Sequence, residues 1–527
     1  MTPRVLVVAV LVAFGLIAAT AVISIRLTRP AKPVVLTQDE LAESFRQLRV
    51  DLHGLERQLN RPDSRLVEEP SPGGPEMMTG TPGEAASAGE LSAQVQRLRR
   101  EMLAVIQNEA RRRHGPAPEI VSTVETVLSA PGESFALAFP PGTRAERATI
   151  ENVGSSILRK PQLVLDGTLP GLNVDAILET QLAGAQSEEK KAVALWKFVE
   201  RARVHDWPAH REKSDPVKLT AVYGYGFCNH AARSLAILAQ AAGLEARTRD
   251  YPGEHVVCEI LVDGRWVLFD PDGGVFYRNA DGRIATVDEL RASPDLIRAH
   301  PSPIYPEEKL VRLYQRDDVK LRTDFSKESG YQIAFDLRPG ESITYLRHPT
   351  GHFFASRHLE IPLEYANGIW RFAPQWQHGI IGAAAATNLR RAAGGAMLEK
   401  IDPASPAELV YVFEPGYPIL DGTIRAGAND RIAISRDGST WTPLATGEPL
   451  ARFLANAGGN PDYKLFVRVE PGGPELKPFE VSLNFQTARR ALPLPEGGAN
   501  GRLDFGADGP SSARVAFALA DSRPGQR

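Results

Sequence analysis

The strongest constraint in this chain is a short-range one. Two apolar runs stand on either side of the dipeptide Asp263-Gly264: His255-Val256-Val257-Cys258-Glu259-Ile260-Leu261 before it and Trp266-Val267-Leu268-Phe269-Asp270-Pro271 after it. An Asp-Gly turn between β-rich runs predicts an antiparallel hairpin. The second run is brought back along the first, so His255 and Asp270 lie at neighbouring strand ends. A further short strand is expected around residues 246–250.

Directly upstream, Tyr223-Gly224-Tyr225-Gly226-Phe227-Cys228-Asn229-His230 leads into an amphipathic pattern. Leu235, Leu238, Ala239 and Ala242 share one face, and Gly243 stands at the C′ position. Cys228 therefore opens a helix. There the unpaired backbone N–H groups and the helix dipole favour the thiolate, and they can hold an oxyanion that develops on an attacked carbonyl. An imidazole at His255 can accept the thiol proton while a carboxylate at Asp270 fixes its tautomer. Such a nucleophilic constellation needs no metal and no cofactor. Cys258, three positions from His255 on a strand, faces the other way and is expected in the core. A Cys228–Cys258 disulfide would silence the nucleophile, and a Cys/His/Cys/His zinc site enlisting His230 matches no standard spacing. His230 is left open between lining the cleft and being solvated, and Asp272 reads as a turn residue.

These blocks resemble the core of the transglutaminase-like superfamily. The resemblance rests on Gly226-x-Cys228, the helix ending in Ala242-Gly243-Leu244-x-Ala246-Arg247, the strand His255-Val256-Val257-x-Glu259, and Gly264-x-Trp266 running to Asp270-Pro271. It covers roughly residues 185–300 and implies a papain-like fold. It also implies Cys228 as nucleophile, His255 as general base and Asp270 as orienting carboxylate. The aromatic that usually follows the histidine, as in His-Ala-Trp, is replaced here by His-Val-Val. For the upstream oxyanion-stabilising side chain, Trp207 and Tyr223 are the candidates.

Outside this segment the chain divides by pattern. Residues 1–32 contain an uncharged run from Val5 to Ile25, long enough to span a bilayer. Ala19-Thr20-Ala21 keeps open a cleaved signal peptide instead. Residues 33–115 read as a coiled-coil stalk, with one seam at Leu41, Phe45, Leu48, Leu52, Leu55 and Leu59 and a second at Leu91, Val95, Leu98, Met102 and Val105. A Pro- and Gly-rich linker at 61–86 separates the seams. Residues 116–184 read as a small β module. At Ser187 an amphipathic helix opens with Ala192, Leu195, Trp196 and Val199 on one face; Ser187-x-x-Lys190 reads as its N-cap, not as a serine nucleophile. Residues 185–325 form the expected transglutaminase-like domain. From 326 to 520 strand and turn alternate, with Asn367-Gly368 and Asp437-Gly438 as hairpin turns and Ile432 to Trp441 resembling carbohydrate-active accessory sandwiches.

The expected fold class is α+β: a papain-like transglutaminase core, preceded by a transmembrane helix, a coiled-coil stalk and a small β module, and followed by one or more β-sandwich modules. With 61 basic against 64 acidic residues, no broad field points to nucleic acid. Two cysteines cannot build a disulfide framework. The function expected is acyl transfer by Cys228, hydrolysing an amide in a peptide, protein or glycan-linked envelope substrate. The alternative is an inactive scaffold in envelope or polysaccharide assembly. The chain is expected to sit on the inner membrane through its N-terminal anchor, single-pass, with its bulk in the periplasm and weak homo-oligomerisation through the stalk.

Overall fold

A computed structural model of the chain describes residues 117–168, 172–206, 211–354, 365–454 and 461–522. The apolar run at 5–25 and both heptad seams lie outside these residues. Among the described residues no helix is long and apolar enough to cross a membrane.

Four strands open the described chain: β1 (Ile120–Leu128), β2 (Glu133–Ala138), β3 (Thr143–Asn152) and β4 (Leu158–Leu165). Their main partners come from the other end of the chain. Ala513–Asp521 lies between β1 and β3 and is antiparallel to both. The seven-stranded sheet continues from β3 through Glu341–Leu346, Tyr365–Phe372, Glu480–Ala488 and Ile419–Arg425. A four-stranded sheet places Gly498–Ala507 between β2 and β4, with Asp336–Leu337 on its edge. The segment expected as a separate β module thus shares both of its sheets with carboxyl-terminal strands. The reason is burial: Ile150, Leu158, Leu165, Leu503, Val515 and Phe517 belong to one hydrophobic core. Strand periodicity shows that a face must be covered but not by which distant segment.

One expected hairpin turn is instead the middle of a strand. Asn367 and Gly368 sit inside Tyr365–Phe372, paired on both sides. The Asn367 amide donates to the carbonyls of His352 and Phe485 and accepts from the Thr350 N–H, so its polar groups are satisfied while buried. At Gly368 a Cβ would fall 2.0 Å from the Phe485 ring, so the glycine makes room for an aromatic neighbour. Asp437-Gly438 does form the turn between Arg431–Ser435 and Thr442–Leu444, with Gly438 at φ +74°. Trp441 lies under the Arg468 guanidinium, 4.5 Å from its ring centroid.

Between the two groups of sandwich strands the chain forms the helical part. Helices α1 (Val174–Gln181), α2 (Glu188–Ala202) and α3 (Cys228–Ala241) carry it. Ser187 caps α2, accepting from the Lys190 N–H at 3.2 Å, and Leu195, Phe198 and Val199 are buried. In α3, Leu235, Leu238 and Ala239 are buried, and Gly243 ends the helix at φ +80°. Two short strands, β5 (Val204–His205) and β6 (Tyr225–Gly226), pair in parallel just before α3. The helix packs against β7 (Ala246–Tyr251) and β8 (His255–Val262), which form a sheet with β9 (Arg265–Phe269) and β10 (Lys320–Arg322) in the order β10-β7-β8-β9. The predicted hairpin is β8–β9, with Asp263 and Gly264 both at positive φ.

The segment leading to α3 is braced by the sandwich. Residues Lys218–Tyr223 make a wide helical turn closed by the Gly224 N–H donating to the Leu219 carbonyl. Thr487, on strand Glu480–Ala488, donates its hydroxyl to the Ala221 carbonyl at 3.0 Å. Glu212 accepts from the hydroxyls of Tyr223 and Tyr463 and from Lys218.

These pairings make the carboxyl-terminal strand essential to the body. Val515, Phe517 and Leu519 are fully buried, each worth about 1.5–3 kcal/mol, against a net stability of about 5–15 kcal/mol for a domain. Deleting residues 513–527 is expected to abolish cooperative thermal unfolding followed by circular dichroism. A truncated chain melting at the full-length temperature would contradict the strand order.

Candidate active site

The site is built where α3, the β8–β9 hairpin and the turn after β9 meet. Cys228 is the first residue of α3 and is partly exposed. Phe227, in extended conformation, precedes the helix and has no side-chain acceptor to cap it. The cap is one-sided: the His230 Nδ1 accepts from the Phe227 N–H at 3.3 Å. His230, left open by the sequence, is therefore buried and holds the helix entry. The N–H groups of His230 and Ala231 donate to the Phe227 carbonyl at 3.1 and 3.0 Å, while those of Cys228 and Asn229 have no carbonyl within the helix to bind, as at any helix start.

His255 begins β8, and Asp270 immediately follows β9. The β8–β9 ladder ends at Cys258 and Phe269, and beyond it the turn after β9 carries the Asp270 carboxylate to His255. His255 Nε2 lies 2.7 Å from Asp270 Oδ2, and both side chains are wholly buried. The other Asp270 oxygen accepts from the backbone N–H groups of Asp272 and Gly273 at 3.2 and 2.7 Å. A Cβ on Gly273 would lie 2.6 Å from Asp270 Oδ2, so this turn closes around the carboxylate only with glycine there. His255 Nδ1 is buried without a hydrogen-bond partner. Burial opposes the imidazolium, but the Asp270 charge and hydrogen bond outweigh it, and the neighbouring Cys228 acts in the same direction. The net effect holds the His255 pKa well above the usual histidine range. Cys258 is on β8, facing the core; burial pushes its thiol pKa well up, so it is a poor nucleophile.

Four further residues surround this pair, and sequence reasoning did not find them as site residues. Asp272, expected as a turn residue, is a buried carboxylate. It accepts from Arg203 at 2.8 Å, from His205 Nδ1 at 3.0 Å to each oxygen, and from the Tyr305 hydroxyl at 2.5 Å. Burial works against its charge, and Arg203, His205 and Tyr305 overcome that, holding its carboxyl far below the usual range. Arg203 also donates to the carbonyls of Gly226 at 3.1 Å and Pro271 at 2.9 Å. The Tyr305 ring meets the His255 ring edge-on at 4.6 Å between centroids, and His205 stacks on Phe227 at 5.1 Å. The one available signal was a second aspartate two positions beyond Asp270; nothing local marked Arg203, His205 or Tyr305.

The oxyanion candidates fare differently. Trp207 lies outside the described residues. Tyr223 is fully buried and donates its hydroxyl to Glu212, so it is committed to the brace instead of the cleft.

Cys228, His255 and Asp272 present one sulfur, one nitrogen and one oxygen, all within 4.8 Å of one another. That donor set suits a thiophilic ion. Asp272, however, already receives bonds from three side chains on both oxygens, and an ion would have to displace them. The residues fit a hydrogen-bonded acid–base site better than a metal centre.

Residues 175–271 match the family model of the transglutaminase-like superfamily. The match runs from α1 to the residue after Asp270, so it contains the helix, the hairpin and all three candidate residues. The chain has no significant match among curated proteins or among solved structures. A transglutaminase-like core thus occupies the part of the chain in which Cys228, His255 and Asp270 converge.

A histidine pKa raised on folding contributes stability that is full below the unfolded value of about 6.5 and is lost as pH rises through the folded value. Asp270→Asn removes the charge that opposes burial, so His255 should titrate at lower pH than in the wild type. Ring nitrogen shifts in histidine-labelled protein read this directly, and an unchanged titration would contradict the account.

Proposed function

We propose that this protein is a cysteine acyl-transfer enzyme that hydrolyses an amide bond in a peptide or cell-envelope component. The observation that carries the reading is the orientation of His255. Its Nε2 is committed to Asp270, while its unpartnered Nδ1 is left for the side of Cys228. In the reaction His255 takes the Cys228 proton, the thiolate attacks the carbonyl carbon, and the oxyanion is held by N–H groups at the start of α3. His255 then protonates the leaving amine as the C–N bond breaks. Water attacks the resulting thioester, releasing the acid and the thiol. Hydrolysis is favoured over cross-linking because a partly exposed thioester meets water at far higher concentration than any amine.

The proposal extends to location. The uncharged run at 5–25 anchors the chain in the inner membrane, and the stalk holds a periplasmic body that self-associates weakly. Its substrates are then peptide, protein or glycan-linked components of the envelope.

One observation favours a second reading, a catalytically inactive scaffold. The His255 ring is wholly shielded, with Tyr305 against it. Mutagenesis separates the two. Screened on envelope peptides by amine release, the wild type should turn over, and Cys228→Ala should lose about a thousandfold or more while keeping its melting temperature. Cys258→Ser should alter stability more than rate. His255→Ala and Asp270→Asn combined should cost far less than the product of their separate effects, as residues acting as one unit do. A folded wild type as inert as Cys228→Ala would favour the scaffold.

A further inference from the structure

We propose that a cavity beside β4 is a binding site for a small carboxylate with an apolar body, held by Lys160 and Arg338. The inference is independent of the chemistry at Cys228. The cavity measures about 310 Å³, and its walls include Ile157, Arg159, Lys160, Phe335, Asp336 and Arg338. None of these residues belongs to the site already described.

A break in the strand brings the lysine there. β4 pairs with Gly498–Ala507, but the register shifts: Gln162 faces Asp504 while Arg159 faces Gly506. Lys160 and Pro161 therefore stand opposite the single residue Phe505. Such a bulge interrupts the alternation of strand faces and re-aims a side chain. Arg159 and Lys160, consecutive in the chain, are accordingly both exposed and both on the cavity wall. Lys160 takes φ +46°, a conformation unfavourable to a residue with a Cβ, and its N–H donates to Asp336 at 3.1 Å. Arg159 is answered by Asp336 and Asp508, each at 2.5 Å, and Glu414, also on the wall, by Lys464 at 2.8 Å. The Lys160 ammonium has no carboxylate partner among the described residues.

Arg338 supplies the second donor. Its Nε and Nη2 donate to Glu341 at 2.8 and 2.6 Å, and the rings of Phe372, Tyr411 and Phe413 stand 4.5, 4.9 and 4.6 Å from its guanidinium carbon. That leaves Nη1, which has no partner among the described residues and is not closed off from solvent. The side chain is only 8% exposed, so its opening is onto the cavity that it lines. At Gly382, with φ +68°, a Cβ would fall 2.7 Å from Arg338 Cδ, so glycine admits the arginine to this wall. A fixed guanidinium edge and an ammonium together match the two oxygens of a carboxylate. Asp336 and Glu414, although paired, stand on the same wall and disfavour a dianion such as phosphate. Ile157 and Phe335 offer apolar surface to the body of the ligand. The volume is at the lower end of the range for ligand pockets, about 300–1,000 Å³, and suits a molecule the size of one amino acid.

Isothermal titration calorimetry on the full chain tests this with three probes: N-acetyl-leucine, its uncharged amide N-acetyl-leucinamide, and inorganic phosphate. The acid should bind saturably, and the amide and phosphate about tenfold more weakly or worse. Lys160→Met should weaken binding of the acid about tenfold or more, the scale of a lost hydrogen bond to a charged group, without lowering the melting temperature. Lys160→Gly, which relieves the positive φ and so keeps the fold, should lose binding likewise, whereas Lys160→Arg should retain it. Cys228→Ala should bind as the wild type does, which separates this site from the candidate active site. No saturable binding of the acid, equal binding of acid and amide, phosphate binding as well as the acid, or Lys160→Met and Lys160→Gly binding like the wild type would each overturn the inference.

Discussion

The guanidinium of Arg203 ties together three groups that the chain supplies from two separate segments. It binds the carbonyl of Gly226, which leads into the helix of Cys228, the carbonyl of Pro271, which follows Asp270, and the carboxylate of Asp272. One buried side chain thereby sets the distance between the nucleophile's loop and the turn that carries the acid. Removing one partner of a buried ion pair typically costs about 3–5 kcal/mol, because the other charge is left without solvent or counter-ion. That is a large share of a domain's net stability, so the arrangement persists only where surrounding structure supports it. The many exposed arginine–carboxylate pairs on the surface hold nothing comparable.

That support comes from outside the transglutaminase-like core. The wide turn at Lys218–Tyr223 leads to Gly224, Tyr225 and Gly226, and its buried carbonyl at Ala221 is met by Thr487 of the sandwich. Glu212, Lys218 and the tyrosines 223, 331 and 463 fill the same junction with hydrogen bonds and cation–π contacts. Tyr331 adds a bond from its N–H to Asp215 and one from its hydroxyl to the Gly416 carbonyl. The sandwich is therefore a support for the segment that presents Cys228, and the strands at the two ends of the described chain are part of it. A backbone held at that precision is what an attack geometry requires, since a displacement of about 1 Å can cost about a hundredfold in rate.

How much of this was legible in the sequence follows from the range of each interaction. The β8–β9 hairpin, the N-cap at Ser187, the helix start at Cys228 and the core position of Cys258 are set by neighbours a few residues away, and local chemistry predicted them. The hairpin sets His255 and Asp270 at neighbouring strand ends, and the turn after β9 completes their contact. Arg203, His205 and Tyr305 reach the site through tertiary structure: an arginine after a helix reads as an ordinary charge, and Tyr305 lies beyond two short helices. Asn367-Gly368 looked like a turn because Asn and Gly tolerate turn geometry, yet here one satisfies buried carbonyls and the other admits Phe485. The sheets shared by the first and last described strands were hidden for the same reason, since alternation shows a strand's faces and not its partner.

The central claim is that Cys228 is a nucleophile activated by His255, and site-resolved labelling with an electrophilic peptide chloromethyl ketone tests it most directly. Peptide mapping of the full chain should find a single adduct on Cys228, and His255→Ala should suppress it while leaving the fold intact. An adduct on Cys258, or one on Cys228 formed equally fast without His255, would contradict the account.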